Sequence, residues 1–166
     1  VRASELDRIA VTLGPGSFTG LRVGLSYAKG FALGLGVPLL GFSTLACLAA
    51  MIDTKGAVLA VIDARREQLY AQLFERQRPI AAPFALSLGD LAALTALPEV
   101  DAVVGPGAEL LGARFPDARI ETPELLDPVA LARLAALAVP EDAQPEPVYI
   151  REPDAKLPGG LSLADL

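Results

Sequence analysis

The sequence contains no histidine, no tryptophan, one cysteine and one methionine in 166 residues. A chain with Cys47 as its only thiol cannot close an internal disulfide. Without histidine it also cannot build a Cys/His zinc site, a Ser/His/Asp triad or a Cys/His pair, so most hydrolase mechanisms are excluded. Cys47 sits in the apolar run Leu45-Ala46-Cys47-Leu48-Ala49, where a buried small hydrophobe is expected rather than a reactive thiol, which needs a nearby cation or helix N-terminus. Basic residues are also scarce, 14 against 20 acidic ones for a net charge of −6. That is the wrong sign for a surface that must neutralise phosphates unaided, so tight autonomous nucleic-acid binding is not expected. Arg22, Lys29, Asp53 and Lys55 keep every apolar run below the ~18 residues of a membrane span. No signal-peptide pattern opens the chain, and a soluble cytoplasmic protein with no membrane partner is expected. Apolar residues make up 52% and charged residues 20%, enough oily surface to offset ordering entropy, so the chain packs as one domain or two small lobes.

Ile9 to Leu13 reads as a strand closed by Gly14-Pro15-Gly16, after which Ser17 to about Leu35 runs at helical period. A second strand is expected at Val37 to Gly41, with Ser43 or Thr44 as N-cap of a helix from Leu45 to Ile52. Val58 to Ile62 is continuously apolar, suited to a strand covered on both faces, and turns through Asp63-Ala64-Arg65-Arg66 into the alternating strand Gln68 to Glu75, a hairpin. Further expectations are a loop over Gln77 to Pro83, a helix at Asp90 to Leu97 and a strand at Ala102 to Val104 ended by Gly105-Pro106-Gly107. After these come a helix at Ala108 to Phe115, a strand at Ala118 to Glu121 and a helix from Pro128 to about Val139. The prolines beyond Pro140 predict an extended tail. The alternation indicates an α/β fold with a largely parallel sheet and one antiparallel hairpin, with a boundary between two lobes at Asp53 to Gly56, giving segments 1–55 and 56–166.

The loop Gly14 to Gly20 joins strand to helix, where free N–H groups can hold an anion. It is neither a Walker loop nor a dinucleotide fingerprint, and local features favour a glycine-rich turn with Ser17 as N-cap. The helix after it carries more information. At ~100° per residue, Arg22, Ser26 and Lys29 form a polar stripe; Phe18, Leu21, Leu25, Ala28, Ala32 and Leu35 form an aliphatic face; Gly20, Val23, Gly24, Tyr27, Gly30, Phe31 and Gly34 form a smooth face with two aromatics. Either both apolar faces are internal, or the glycine face meets another helix in a second protein, anchored by Tyr27 and Phe31. Glycines inside a helix each cost ~1 kcal/mol relative to alanine, which argues for a packing reason.

The run from Gly14 to Gly24, followed by Lys29-Gly30, Gly41 to Leu45, Val61 to Arg65 with Tyr70, Val104 to Gly107, and Glu146 to Arg151, resembles the signature of the bacterial TsaB family, formerly YeaZ, over nearly the whole chain. The resemblance implies an actin/Hsp70-like (ASKHA) two-lobed fold. It also implies a non-catalytic partner of a TsaD-type catalytic subunit in threonylcarbamoyl modification of tRNA adenosine beside the anticodon, with a TsaE-type ATPase as a further partner. The chain itself would need no cofactor, ATP being used by the assembled complex, and would form a homodimer when alone. Family members open with a β-hairpin bearing an Asp-containing phosphate loop and a helix that joins the subunit interface. Here Ser4-Glu5-Leu6-Asp7 matches a point inside that first lobe, so the expectation is a first lobe without its opening segment.

The resemblance also implies a nucleotide cleft, here degenerate, with Gly14, Gly16, Ser17, Asp63, Gly105 and Gly107 around it. Active relatives carry glycines after the Asp of the second hairpin, whereas Asp63 is followed by Ala64-Arg65-Arg66, whose side chains obstruct a phosphate. Asp63 is therefore read as a turn residue, and no catalytic or metal site is expected. Two alternatives to the scaffold subunit stand beside it: an independent ATPase or glycoprotease-like peptidase, and a homodimeric interaction module.

Overall fold

The structure is a computed structural model that describes residues 2–65, 67–90, 94, 97–140 and 143–149. Two sheets organise it. The first is a parallel pair, β1 (Ile9–Gly14) and β2 (Leu39–Ser43), in register Ile9↔Leu39 through Thr12↔Phe42. Between them runs the longest described helix, α1 (Phe18–Leu35). The crossover is the kind a parallel pair requires.

The second sheet is built on β3 (Ala57–Asp63), flanked by β4 (Gln68–Glu75) on one side and β7 (Ala102–Val104) on the other. Two short strands, β5 (Arg78–Pro79) and β6 (Phe84–Ser87), pair antiparallel with β4; β7 (Ala102–Val104) and β8 (Arg119–Glu121) extend the sheet in parallel beyond β3. The expected hairpin forms, from Ala57↔Glu75 to Asp63↔Leu69. The sheet is less parallel than its sequence suggests, because β4 carries β5 and β6 as well as β3.

β3 has a continuous apolar sequence because both of its faces are covered. Leu59 and Val61 point into a core with Val103, Leu69, Ala71, Leu94 and Leu111. Val58 and Ala60 point the opposite way, with Ala102, Val104 and Phe74, under α2 (Thr44–Ala49) and its Leu45 and Leu48. Alternation across a pleated strand delivers successive side chains to opposite layers. The last helix, α3 (Pro128–Leu137), starts with Asp127 accepting from Val129 N–H at 2.8 Å and Pro128 at its first position, a favoured arrangement. It returns to pack on β1 and α2.

Several boundaries move. The strand expected at Val37 to Gly41 begins two residues later, beyond Pro38, whose missing N–H cannot enter a ladder. The helix expected to reach Ile52 ends at Ala49. Ala108 to Phe115 is not an α-helix: only Ala108–Leu111 coils, as a 3-10 turn, and Gly112 follows it directly. The loop at Gln77 to Pro83 contains β5. The helix expected at Asp90 to Leu97 falls largely on residues 91–93, 95 and 96, outside the described residues, with a 3-10 turn over 88–90 leading into it.

Candidate functional site

Ser17 Oγ accepts from Gly20 N–H at 3.3 Å to cap α1, and Gly36 closes it in the left-handed conformation with φ +68°. Between these caps the two apolar faces part company. Leu25, Ala28 and Ala32 are buried on the side that packs on β1, as the aliphatic face requires. The opposite face is open. Gly20, Val23, Gly24, Tyr27, Gly30, Phe31 and Gly34 are all exposed, Val23 at 64% and Tyr27 at 73%. Tyr27 and Phe31 stack with ring centroids 6.1 Å apart. A Cβ built on Gly24, Gly30 or Gly34 would meet nothing within 4 Å. Among the described residues, no packing accounts for Gly24, Gly30 or Gly34, and this face of α1 is open.

Two features of α1 escape the helical periodicity. Leu33, 85% exposed, interrupts the polar stripe between Ser26 and Lys29, an apolar residue that no buried neighbour claims. Phe18, placed on the aliphatic face by spacing, is 44% exposed because it lies in the first turn, beyond the reach of the sheet. Its ring instead lies under the Arg22 guanidinium, 3.9 Å from the centroid, and 5.5 Å from the ring of Tyr149.

The residues assigned to a degenerate nucleotide cleft fall into two groups. Asp63, Gly105 and Gly107 come together at the end of β3. Gly105 has φ +124°, and a Cβ there would collide with the backbone carbonyl of Val61; a Cβ on Gly107 would lie 2.8 Å from Leu69 Cδ2 and 3.2 Å from Asp63 N. Both glycines are thus required by the close approach of the β7 turn to β3. Asp63 Oδ1 accepts from Arg65 N–H at 2.7 Å, an Asx turn that lets Arg65 adopt φ +61°. It is the turn residue expected; Arg66 lies outside the described residues. Gly14, Gly16 and Ser17 form the other group, at the end of β1. Gly14 and Pro15 are buried, and Gly14 has φ +116°.

Cys47 is fully buried, and burial pushes its thiol up to about 11, because desolvation disfavours the thiolate. It is a core residue. Among the described residues no group of three or more His, Cys, Asp or Glu side chains could hold a metal ion. No described helix is long and apolar enough to cross a membrane.

The architecture and these motifs have counterparts in known proteins. The family model of TsaD, tRNA N6-adenosine threonylcarbamoyltransferase, matches residues 1–111. An uncharacterized protein of Mycobacterium bovis is 32% identical over 92% of this chain and 68% of its own length. The protein TsaB of Escherichia coli, named for tRNA threonylcarbamoyladenosine biosynthesis, is 41% identical over 44% of this chain and 33% of its own length. The chain spans only 40% of another mycobacterial relative, from Mycobacterium leprae. Among solved structures, YeaZ from Pseudomonas aeruginosa superposes with a TM-score of 0.72 at 29% identity, covering 90% of this chain and 77% of that one. A second Pseudomonas aeruginosa structure, described as similar to peptidase YeaZ, gives 0.70 at 30% identity. With its α/β architecture, the glycine turn at Gly14 and the Gly105-Pro106-Gly107 turn against β3, the chain belongs to the TsaB (YeaZ) family, which shares the actin-like ASKHA fold of the TsaD proteins.

Proposed function

We propose that this chain serves tRNA threonylcarbamoyladenosine biosynthesis as a non-catalytic subunit that docks on a TsaD-type catalytic partner through the open face of α1. The observation that carries this reading is the face itself. Exposed Val23, Tyr27 and Phe31 stand among Gly20, Gly24, Gly30 and Gly34, so a partner helix can approach the α1 backbone closely and find two stacked rings as anchors. The names of the TsaB relatives supply the pathway. The only thiol is buried and protonated and histidine is absent, which favours a scaffold over an independent peptidase. Arg65, exposed directly after the Asx turn of Asp63, opposes a phosphate loop there. In this reading ATP is used by the assembled complex, with a TsaE-type ATPase as a further member. The chain alone pairs with a second copy through the same face.

The test is association of the purified chain with a TsaD-type subunit, measured by sedimentation over a concentration series. Gly24→Glu places a charge on the face where no described residue lies within 4 Å of an added Cβ, so the described fold has room for it. In the complex that charge is buried without a partner, and binding should fall by about a hundredfold, roughly 3 kcal/mol. Unchanged binding by a folded Gly24→Glu chain overturns the docking surface. Release of phosphate from ATP by the pure chain overturns the non-catalytic role.

A further inference from the structure

Residues 143–149, beyond α3, are extended, as their prolines require, and are held against the first sheet. Pro145 packs against β2 at Gly41, where an added Cβ would come within 2.8 Å of Pro145 Cβ. Val148 N–H donates to Leu13 O of β1 at 2.8 Å. The carbonyl of Val148 faces Gly14, where a Cβ would lie 2.6 Å from it. Arg22 Nε donates to Tyr149 Oη at 3.2 Å, while its guanidinium covers the Phe18 ring that Tyr149 also touches. Three separated stretches, Gly14 to Arg22, Gly41, and Pro145 to Tyr149, are thus parts of one contact. Gly14 lacks the Cβ that would strike Val148, Gly41 lacks one that would strike both Leu13 and Pro145, and Arg22 holds Tyr149.

We propose that residues 145–149 are a releasable strap, latched by Arg22, that closes the carboxyl end of the β1–β2 pair over the glycine turn. In open α/β sheets that end of parallel strands is where ligands enter, so the strap occupies the first sheet's own entrance. The contact has the properties of a latch. It is made on the surface, with Val148 and Tyr149 each 42% exposed, and is fixed by one backbone hydrogen bond and one cation–aromatic cluster. Such a contact is weak enough to open locally while the cores of β3 remain closed. Release uncovers the Leu13 carbonyl, Gly14 and the ring of Phe18. The proposal does not depend on the α1 docking face, because Phe18 and Arg22 lie on the other side of that helix from Gly20, Tyr27 and Phe31.

Residue-resolved amide hydrogen exchange on the intact chain tests it. The Val148 amide should be protected relative to a free peptide but exchange faster than Leu59 or Val61 in the core. Arg22→Leu or Tyr149→Ala should accelerate Val148 exchange by about fivefold to tenfold, the loss of one cation–aromatic contact and one hydrogen bond, leaving Leu59 and Val61 unchanged. Tyr149→Phe, which keeps the ring but not the hydroxyl, should fall between. Both Tyr149 variants alter only an exposed tail residue, so the fold is not at risk. Exchange of Val148 at the free-peptide rate, at the rate of Leu59, or at a rate that neither Arg22→Leu nor Tyr149→Ala alters would each overturn the strap.

Discussion

Arg8, at the entry to β1, donates from Nη1 to the carbonyl of Ala135 at 2.8 Å, closing the end of a helix that lies 127 positions later in the sequence. The same nitrogen reaches Ala138 O at 3.2 Å. Among the described residues, Ala135 O otherwise accepts only a 3.3 Å bond from the capping Ala138 N–H. The last carbonyls of a helix lack full i→i−4 pairing and sit at the negative end of its dipole. A cation placed there both satisfies and neutralises them. The first sheet and the last helix are therefore joined by an ionic cap as well as by packing.

Arg8→Ala should lower stability by about 1 to 2 kcal/mol, the contribution of a charge-assisted hydrogen bond at a half-buried site. Arg8→Lys should recover part of it through a single donor. Urea denaturation midpoints check both, and an unchanged midpoint in Arg8→Ala would show that solvent replaces the cap at no cost.

Gly105→Ala should be among the most damaging substitutions in the chain. Its φ of +124° excludes a side chain, and the added methyl would be forced into the Val61 carbonyl on the central strand. We expect a loss of more than ~3 kcal/mol, combining backbone strain with displacement of β7 from β3. A thermal melt within a few degrees of the wild type would contradict this geometry.

Gly24→Ala and Gly30→Ala should have the opposite sign in the isolated chain. Each position is exposed and open to an added Cβ, so each alanine should stabilise α1 by about 0.5 to 1 kcal/mol through propensity alone. Where a partner helix packs against this face, the same methyls should weaken binding. A pair of measurements, melting temperature and partner affinity, moving in opposite directions is the expected outcome.

Cys47 gives a pH dependence with a definite sign. Its folded value of about 11 lies above the reference 9.0, so the unfolded chain loses the thiol proton first. Stability should be unaffected by this group below pH 9 and fall as pH rises from 9 towards 11. Cys47→Ala should flatten the decline over that window, at the cost of about 1 kcal/mol for a small cavity. An equal slope in wild type and variant would show that another group controls it.

How much of this was legible in the sequence differs by element. The strand run Val58 to Ile62 announced its position because both of its faces are covered, and α1 announced two apolar faces because its glycines and aromatics recur at helical period. β6 left almost no signal: Phe84-Ala85-Leu86-Ser87 is four residues after a proline, and its strand character comes from pairing Leu86 with Leu69 on β4. The coil after Gly107 looked helical because Ala108, Leu110 and Leu111 are good helix formers, but Gly112 follows them directly. At the candidate site, spacing identified every residue of the glycine face but not that the face is open, which depends on where β1 lies. The contact of Arg22 with Tyr149 had no signal at all, since nothing local in an extended proline-rich segment specifies what it touches.

The position of β3 between β4 and β7 has a consequence for the order of folding. Its ladder with β4 closes across residues 64–67, whereas its pairing with β7 joins Val58 to Ala102 and must enclose a far longer loop. Loop closure costs more entropy as the enclosed chain lengthens, and non-local strand pairing is slow. The β3–β4 hairpin should therefore form first, already carrying the alternating side chains of both layers, and serve as the template on which β7 and then β8 add in parallel. During synthesis this order coincides with emergence of the chain, since the hairpin segment leaves the ribosome ahead of the Gly105-Pro106-Gly107 turn that must pack against its end.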